Sequence, residues 1–221
     1  MRSFNRAWPI VLLLGLVLLF RLIPEIDLWF SGLFYDPEQG FYLKNALPER
    51  ISYELFLDLP YLLLPLLLWL LFASWRWGSS RELPLRRGVL FLVVVLVLGP
   101  GLLVNALVKN NSGRARPVQV EQFGGERHFT PAFVVADQCE KNCSFVSGHA
   151  AMGFFFIAFA WVLKDRRWLL YGGLIGGLVG LGRIIQGAHF LSDVIFSFVL
   201  VLLTTMLCAR WLLGRWGVRP A

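Results

Sequence analysis

Three short stretches carry the residues able to do chemistry: Lys109-Asn-Asn-Ser-Gly-Arg-Ala-Arg116-Pro117, Ser147-Gly148-His149, and Arg183-Ile-Ile-Gln-Gly-Ala-His189-Phe-Leu-Ser-Asp193. Each adjoins a strongly apolar run. Arginine offers a planar fork and lysine a mobile point charge, so Lys109, Arg116 and Arg183 suit the oxygens of a phosphoryl group. Ser147 and Gly148 stand at the head of an apolar segment, where helix amides point at an anion and glycine lets it approach. If a helix begins near His189, the four-residue spacing sets Asp193 on the same face. Its carboxylate then holds one imidazole nitrogen and frees the other to attack. Each motif alone has a plainer reading: cations that anchor a helix end at the headgroups, a serine N-cap, a satisfied core His–Asp pair. His149 resists such a reading, because an ionisable group entering a membrane helix is costly and usually functional. With all three motifs on one side of a bilayer, separate accidents explain them poorly, and a phosphate-handling site explains them together.

Composition shows what must position these residues. Of 221 residues, 57% are apolar and 16% charged, where a soluble domain has about a quarter charged. The expectation is an all-α, polytopic membrane protein. Spanning helices need about 20 mostly apolar residues, since lipid gives the backbone no partners. Six candidates run from Trp8 to Ile23, Tyr53 to Trp75, Gly88 to Val108, Ser147 to Leu163, Trp168 to Ile185 and Phe190 to Leu213. The first has the basic start of a signal peptide, Arg2 and Arg6. No small-x-small site follows Phe20-Arg21-Leu22, so it reads as a retained anchor.

Basic flanks resist translocation, which orients the bundle. Arg2, Arg6, Arg76, Arg81, Arg86, Arg87, Lys164, Arg166, Arg167, Arg210, Arg215 and Arg219 fall on one side, with Glu82 and Asp165 as the acids there. Glu25, Asp27, Asp36, Glu38, Glu49, Glu121, Glu126, Asp137 and Glu140 fall on the other. Both termini are therefore expected in the cytoplasm and all three motifs outside. The net charge of +7 is scattered over helix ends and forms no stripe, so no nucleic-acid partner is expected.

The two outer loops are long, about Pro24 to Ser52 and Lys109 to Phe145. The first holds aromatics suited to headgroup level and reads either as an interfacial amphipathic element or as an ordinary connector. In the second, Cys139 and Cys143 suit a disulfide in an oxidising compartment. Metal ligation by the pair is the weaker alternative, since only His128 is near in sequence. Cys208 reads as packing. Arg114 could touch a second phosphate or a sugar, but ordinary loop solvation is the favoured reading. His128 is left outside the site. There is one domain, residues 1–221, with no repeat or low-complexity tract.

These motifs resemble the signature of the type 2 phosphatidic acid phosphatases (PAP2): K-x6-R-P, then P-S-G-H, then S-R-x5-H-x3-D. Lys109 through Arg116-Pro117, Val146-Ser147-Gly148-His149 and Gly182-Arg183 through His189 to Asp193 keep every internal spacing. Val146 stands where the signature has proline and Gly182 where it has serine; neither change removes a titratable group. The resemblance implies a six-transmembrane-helix bundle and a phosphatase without metal or cofactor. It implies that His189 attacks phosphorus, oriented by Asp193, and that His149 protonates the leaving oxygen and then activates water. Lys109, Arg116, Arg183, Ser147 and Gly148 would hold the equatorial oxygens.

The Asp27-Leu-Trp-Phe-Ser-Gly-Leu-Phe-Tyr-Asp36 segment and the Cys143-Ser-Phe-Val-Ser-Gly-His149 wording resemble the bacterial branch that includes lipid A phosphatases. The implied setting is the bacterial inner membrane, with a periplasmic site, a membrane lipid phosphate as substrate and no obligatory protein partner. Lipid A leads as substrate, with undecaprenyl diphosphate and phosphatidylglycerophosphate as competitors. A non-hydrolytic transporter of anionic lipids remains as an alternative of another class, and phosphotransfer to a second lipid stays open.

Overall fold

Long apolar runs fold as helices because a helix satisfies its own backbone where lipid cannot. The structure, a computed structural model, describes residues 4–42, 44, 46–77 and 83–218. Helix α1 spans Phe4–Leu22 and a short α2, Glu25–Gly32, follows Pro24. A small antiparallel hairpin, β1 Tyr35–Asp36 and β2 Gly40–Phe41, and an isolated bridge between Val120 and Arg127 are the β pairings among the described residues. Helix α3 spans Leu47–Trp77. Helix α4, Leu83–Leu96, runs on as a π-helical stretch, Val97–Val108, and ends as α5, Lys109–Asn111. Helix α6, Gly148–Phe154, passes through a 3-10 stretch, Phe155–Ala158, into α7, Phe159–Leu163. Helices α8, Arg167–Ile185, and α9, Leu191–Leu213, complete the bundle.

Among the described residues, four helices are long and apolar enough to cross a membrane: Leu47–Trp77, Pro84–Asn111, Arg167–Ile185 and Leu191–Leu213. Ile10–Leu22 and Gly148–Leu163 are apolar but shorter. Helix α3 starts at Leu47 and not near Tyr53, because Pro48 and Glu49 suit a first helical turn that a hydropathy reading passes over. Of the residues used for orientation, Arg2, Arg81, Arg219 and Glu82 lie outside the described residues.

Helix α9 is the hub, packing on α4, α6, α8 and α2. Close approach of α8 to its neighbours depends on Gly172, Gly176 and Gly180, spaced four apart on one face. A Cβ at Gly172 would lie 2.4 Å from the Ile157 amide, one at Gly176 2.2 Å from Phe154, and one at Gly180 2.3 Å from Val194. In lipid, where no hydrophobic drive joins helices, such small-residue contact supplies the packing.

Consecutive long helices alternate in direction. The C-terminal ends of α5 and α8 and the N-terminal ends of α3, α6 and α9 therefore share one end of the bundle. That end holds the three motifs.

Candidate active site

His189 is fully buried, and its Nδ1 lies 2.8 Å from the Ser144 carbonyl and 3.4 Å from Asp193 Oδ2. Both neighbours accept, so Nδ1 carries the proton and Nε2 presents its lone pair. Nε2 has no hydrogen-bond partner. Burial pushes the His189 imidazole down to about 3, against the pull of Asp193, so it is neutral over the physiological range.

The contact arises differently from the expected shared helix face. Gly187 takes a left-handed φ of +71° and Phe190 is extended, so α9 starts only at Leu191 and His189 precedes it. Asp193, in the first turn, folds back to accept the Phe190 amide at 2.8 Å, and this capping places its carboxylate under the imidazole.

Arg114 overturns the reading as loop solvation. It is 1% exposed, with Nη1 donating to Asp193 Oδ1 at 2.6 Å, Nη2 to Asp27 Oδ2 at 2.8 Å and Nε to the Thr130 carbonyl at 2.8 Å. Its guanidinium carbon lies 4.3 Å from the Phe190 ring centre and 5.5 Å from that of Phe129. The expectation failed because an arginine among polar loop residues looks solvated until its partners, distant in sequence, are known.

Asp27, Ser144 and Ser192 were also missed. Asp27 accepts from the Ser192 amide at 2.8 Å and hydroxyl at 2.5 Å, and Ser144 Oγ donates to Asp193 at 2.5 Å. Burial draws the Asp27 carboxyl upward and Arg114 opposes it. Arg114 and the Ser192 amide can only donate to it, so the geometry suits the ionised form. The first outer loop is thus more than a connector or an interfacial helix, since α2 turns Asp27 and Ser31 inward. An aspartate two residues before Trp29 and flanked by Ile26 and Leu28 was the available signal.

The predicted phosphate ligands gather around the two imidazoles. Lys109 and Arg183 lie within electrostatic reach of both His149 and His189, and Arg116 within reach of His149. Arg116 Nη2 donates to the Asn142 carbonyl at 2.8 Å. Arg183 pairs with Gln186, stands 3.8 Å from Glu49 and lies over the Tyr53 ring at 4.8 Å. Tyr53 in turn stacks on His149, ring centres 4.6 Å apart, and His149 Nε2 is buried without a partner.

Ser147 caps α6, its hydroxyl accepting the Ala150 amide at 3.4 Å. Gly148 is required by Asn105, whose Oδ1 would lie 2.4 Å from a Cβ there. At Gly182, where the signature has serine, a Cβ would lie 2.3 Å from Glu49 Oε2, so the glutamate fills the space of the missing side chain. The Phe145–Val146 peptide, in the turn before α6, is cis.

Beside the site a cavity of about 630 Å³ runs between α3, the π-helical stretch and α6. Lys109, His149 and Asn142 line its polar end, and Phe56, Leu64 and Leu96 are among its apolar walls. Cys139 and Cys143 form a disulfide, Cα atoms 5.6 Å apart, closing the small loop that carries Asn142. His128 is exposed, 3.2 Å from Glu121, and stays outside the site. Among the described residues no group of three or more His, Cys, Asp or Glu side chains could hold a metal ion.

The profile of the PAP2 superfamily matches residues 88–216. The chain belongs to the PAP2 superfamily. Among curated proteins it is similar to the lipid A 4'-phosphatase of Francisella tularensis subsp. novicida (strain U112), 36% identical over 211 residues, covering 88% of this chain and 92% of that protein. It is also similar to the lipid A 4'-phosphatases of Rhizobium leguminosarum, 32% identical over 201 residues (84% and 86% of the two chains), and of Rhizobium etli, 34% over 201 residues (84% and 78%). No solved structure matches it. The PAP2 match begins at residue 88, so Asp27, Glu49 and Tyr53 reach this PAP2 site from helices that precede the matched region.

Proposed function

We propose that this PAP2 protein is a membrane lipid phosphatase that removes a phosphate from lipid A at the periplasmic face. The observation that carries the reading is the pair of imidazoles with buried, unpartnered Nε2 atoms, one tied at Nδ1, inside a wall of three cations.

His189 Nε2 forms a bond to phosphorus as the bond from phosphorus to the lipid oxygen breaks. The departing electron pair stays on that oxygen, which takes a proton from His149. Water then gives its proton to His149 and attacks phosphorus, the N–P bond breaks, and orthophosphate leaves with His189 neutral again. Lys109, Arg116, Arg183 and the Gly148 amide stabilise the equatorial oxygens, and Ser147 fixes the amide direction. Electrostatic positioning of this kind needs no cofactor.

The apolar cavity beside the cations supports a substrate whose tail stays in lipid, and the names of three relatives support lipid A. For the setting we infer six crossings, with α1 and the α6–α7 segment completing the four long spans. The 19 residues of α1 give about 28 Å of helix, close to the hydrocarbon thickness. Arg76, Arg86, Arg87, Lys164, Arg166, Arg167, Arg210 and Arg215 gather at the end away from the site, which supports both termini inside a bacterial inner membrane.

The test is purified protein in detergent with chelator, offered lipid A, undecaprenyl diphosphate and phosphatidylglycerophosphate, with products identified by mass. Orthophosphate should come fastest from lipid A, and His189→Ala should lose turnover by about 10,000-fold or more. A His189→Ala variant as fast as the parent ends the mechanism. Lipid binding without phosphate release favours the transport alternative, which has no need of the His189–Asp193 pair.

A further inference from the structure

The mechanism above uses Asp193 and leaves Asp27 idle, although Asp27 is 1% exposed and takes three donors at 2.8 Å or less. Charge explains the arrangement. Arg114 divides its fork, Nη1 to Asp193 and Nη2 to Asp27, and the rings of Phe190 and Phe129 lie 4.3 Å and 5.5 Å from its guanidinium carbon. Were Asp193 its sole anionic partner, the cation would cancel the one charge that supports the nucleophile. His189 gains a positive charge when its nitrogen bonds to phosphorus, at a position that is fully buried in the protein. With both carboxylates ionised, the cluster of Asp27, Arg114 and Asp193 carries one net negative charge beside the resting imidazole and balances the phosphoimidazolium once it forms.

We propose that Asp27 is a positioning residue for phosphoryl transfer: it engages Arg114, so that Asp193 keeps a net negative charge for the cation developing on His189. The proposal rests on the reading of His189 as nucleophile. The same contacts also dock α2 on α9 through the Ser192 amide and hydroxyl. A purely structural role would lower the amount of folded protein and leave the kcat of the folded fraction alone.

Four variants separate these ideas: Asp27→Asn, Arg114→Gln, the double variant of the two, and His189→Ala. Each is purified in detergent, checked for folding by gel filtration, and assayed on lipid A with rapid acid or alkaline quench to count phosphoenzyme. Asp27→Asn should lower kcat by about 100-fold and deplete the phosphoenzyme, with KM changed less than about threefold. The double variant restores the net charge and should recover kcat at least about tenfold over Asp27→Asn.

Folded Asp27→Asn with parental kcat overturns the proposal, as does a folded double variant no faster than that single one. If Asp27→Asn does not fold, the double variant decides: kcat within about tenfold of the parent supports the charge balance, and a folded, inactive double variant refutes it. An active His189→Ala overturns the nucleophile itself. An inactive His189→Ala beside a normal Asp27→Asn overturns this proposal alone.

Discussion

Replacing Gly182 by alanine probes how Arg183, a phosphate ligand in the proposed mechanism, is held. The new Cβ would lie 2.3 Å from Glu49 Oε2 and 3.1 Å from Glu49 Cδ, so the carboxylate must retreat by about 1 Å to reach ordinary contact. Glu49 and Arg183 side chains are each 6% exposed and start 3.8 Å apart. Widening that gap by about 1 Å weakens the attraction by roughly 1 kcal/mol at an effective dielectric of about 20. With Arg183 holding the phosphoryl group in the proposed mechanism, the loss should appear in binding. KM for the lipid, and the inhibition constant for orthophosphate, should rise by about fivefold, with kcat little changed. Helix propensity runs the other way, favouring alanine over glycine by about 1 kcal/mol inside α8, so a general loss of stability is not the expected explanation. The assay is a double-mutant cycle. In a Glu49→Ala background the space is already open, and Gly182→Ala should then raise KM by less than about twofold. Additive effects in the two backgrounds would show that Glu49 does not mediate the change.

Removing the Ser144 hydroxyl with Ser144→Ala leaves the carbonyl that holds His189 but strips a 2.5 Å donor from Asp193; kcat on lipid A should fall by about 10- to 100-fold, and an unchanged kcat would remove Ser144 from the machinery. Opening the Cys139–Cys143 loop, by reductant or by paired serines, frees the Asn142 carbonyl that Arg116 uses; KM should rise severalfold and stability should drop by about 2 kcal/mol, read from detergent unfolding midpoints. His189 titrates at about 3 when folded and near the ordinary 6.5 when unfolded, so the unfolded chain takes the proton first. Its effect is therefore flat above pH ~6.5 and destabilising as pH falls, by about 1.4 kcal/mol per unit down to pH ~3. Unfolding midpoints measured from pH 7 to 5 should decline, and less steeply in His189→Gln; equal slopes would contradict the buried neutral imidazole.

What could be read from the chain alone follows from how far apart in sequence the interacting groups lie. Lys109, Ser147, Gly148, His149, Arg183, His189 and Asp193 were legible because each sits at the end of an apolar helix, where a titratable group is costly and noticeable. Even there the reasoning about His189 and Asp193 was partly mistaken. Their contact comes from a carboxylate folding back to cap α9, a detail set by Gly187 and the extended Phe190.

Asp27, Glu49 and Tyr53 were illegible for a different reason. Each precedes its partner by about 90 residues or more, and nothing local to α2 or to the first turn of α3 says which helix they will meet. Arg114 needed the same knowledge, since a guanidinium with two carboxylates and one with only water look alike in sequence. The departure at Gly182 shows how the two kinds of information combine. Read alone it is a missing serine; beside Glu49 it is a space already taken by a carboxylate from another helix. A substitution at a signature position is therefore best judged together with whatever side chain now occupies the volume, because here Glu49 both fills the space at Gly182 and stands 3.8 Å from Arg183.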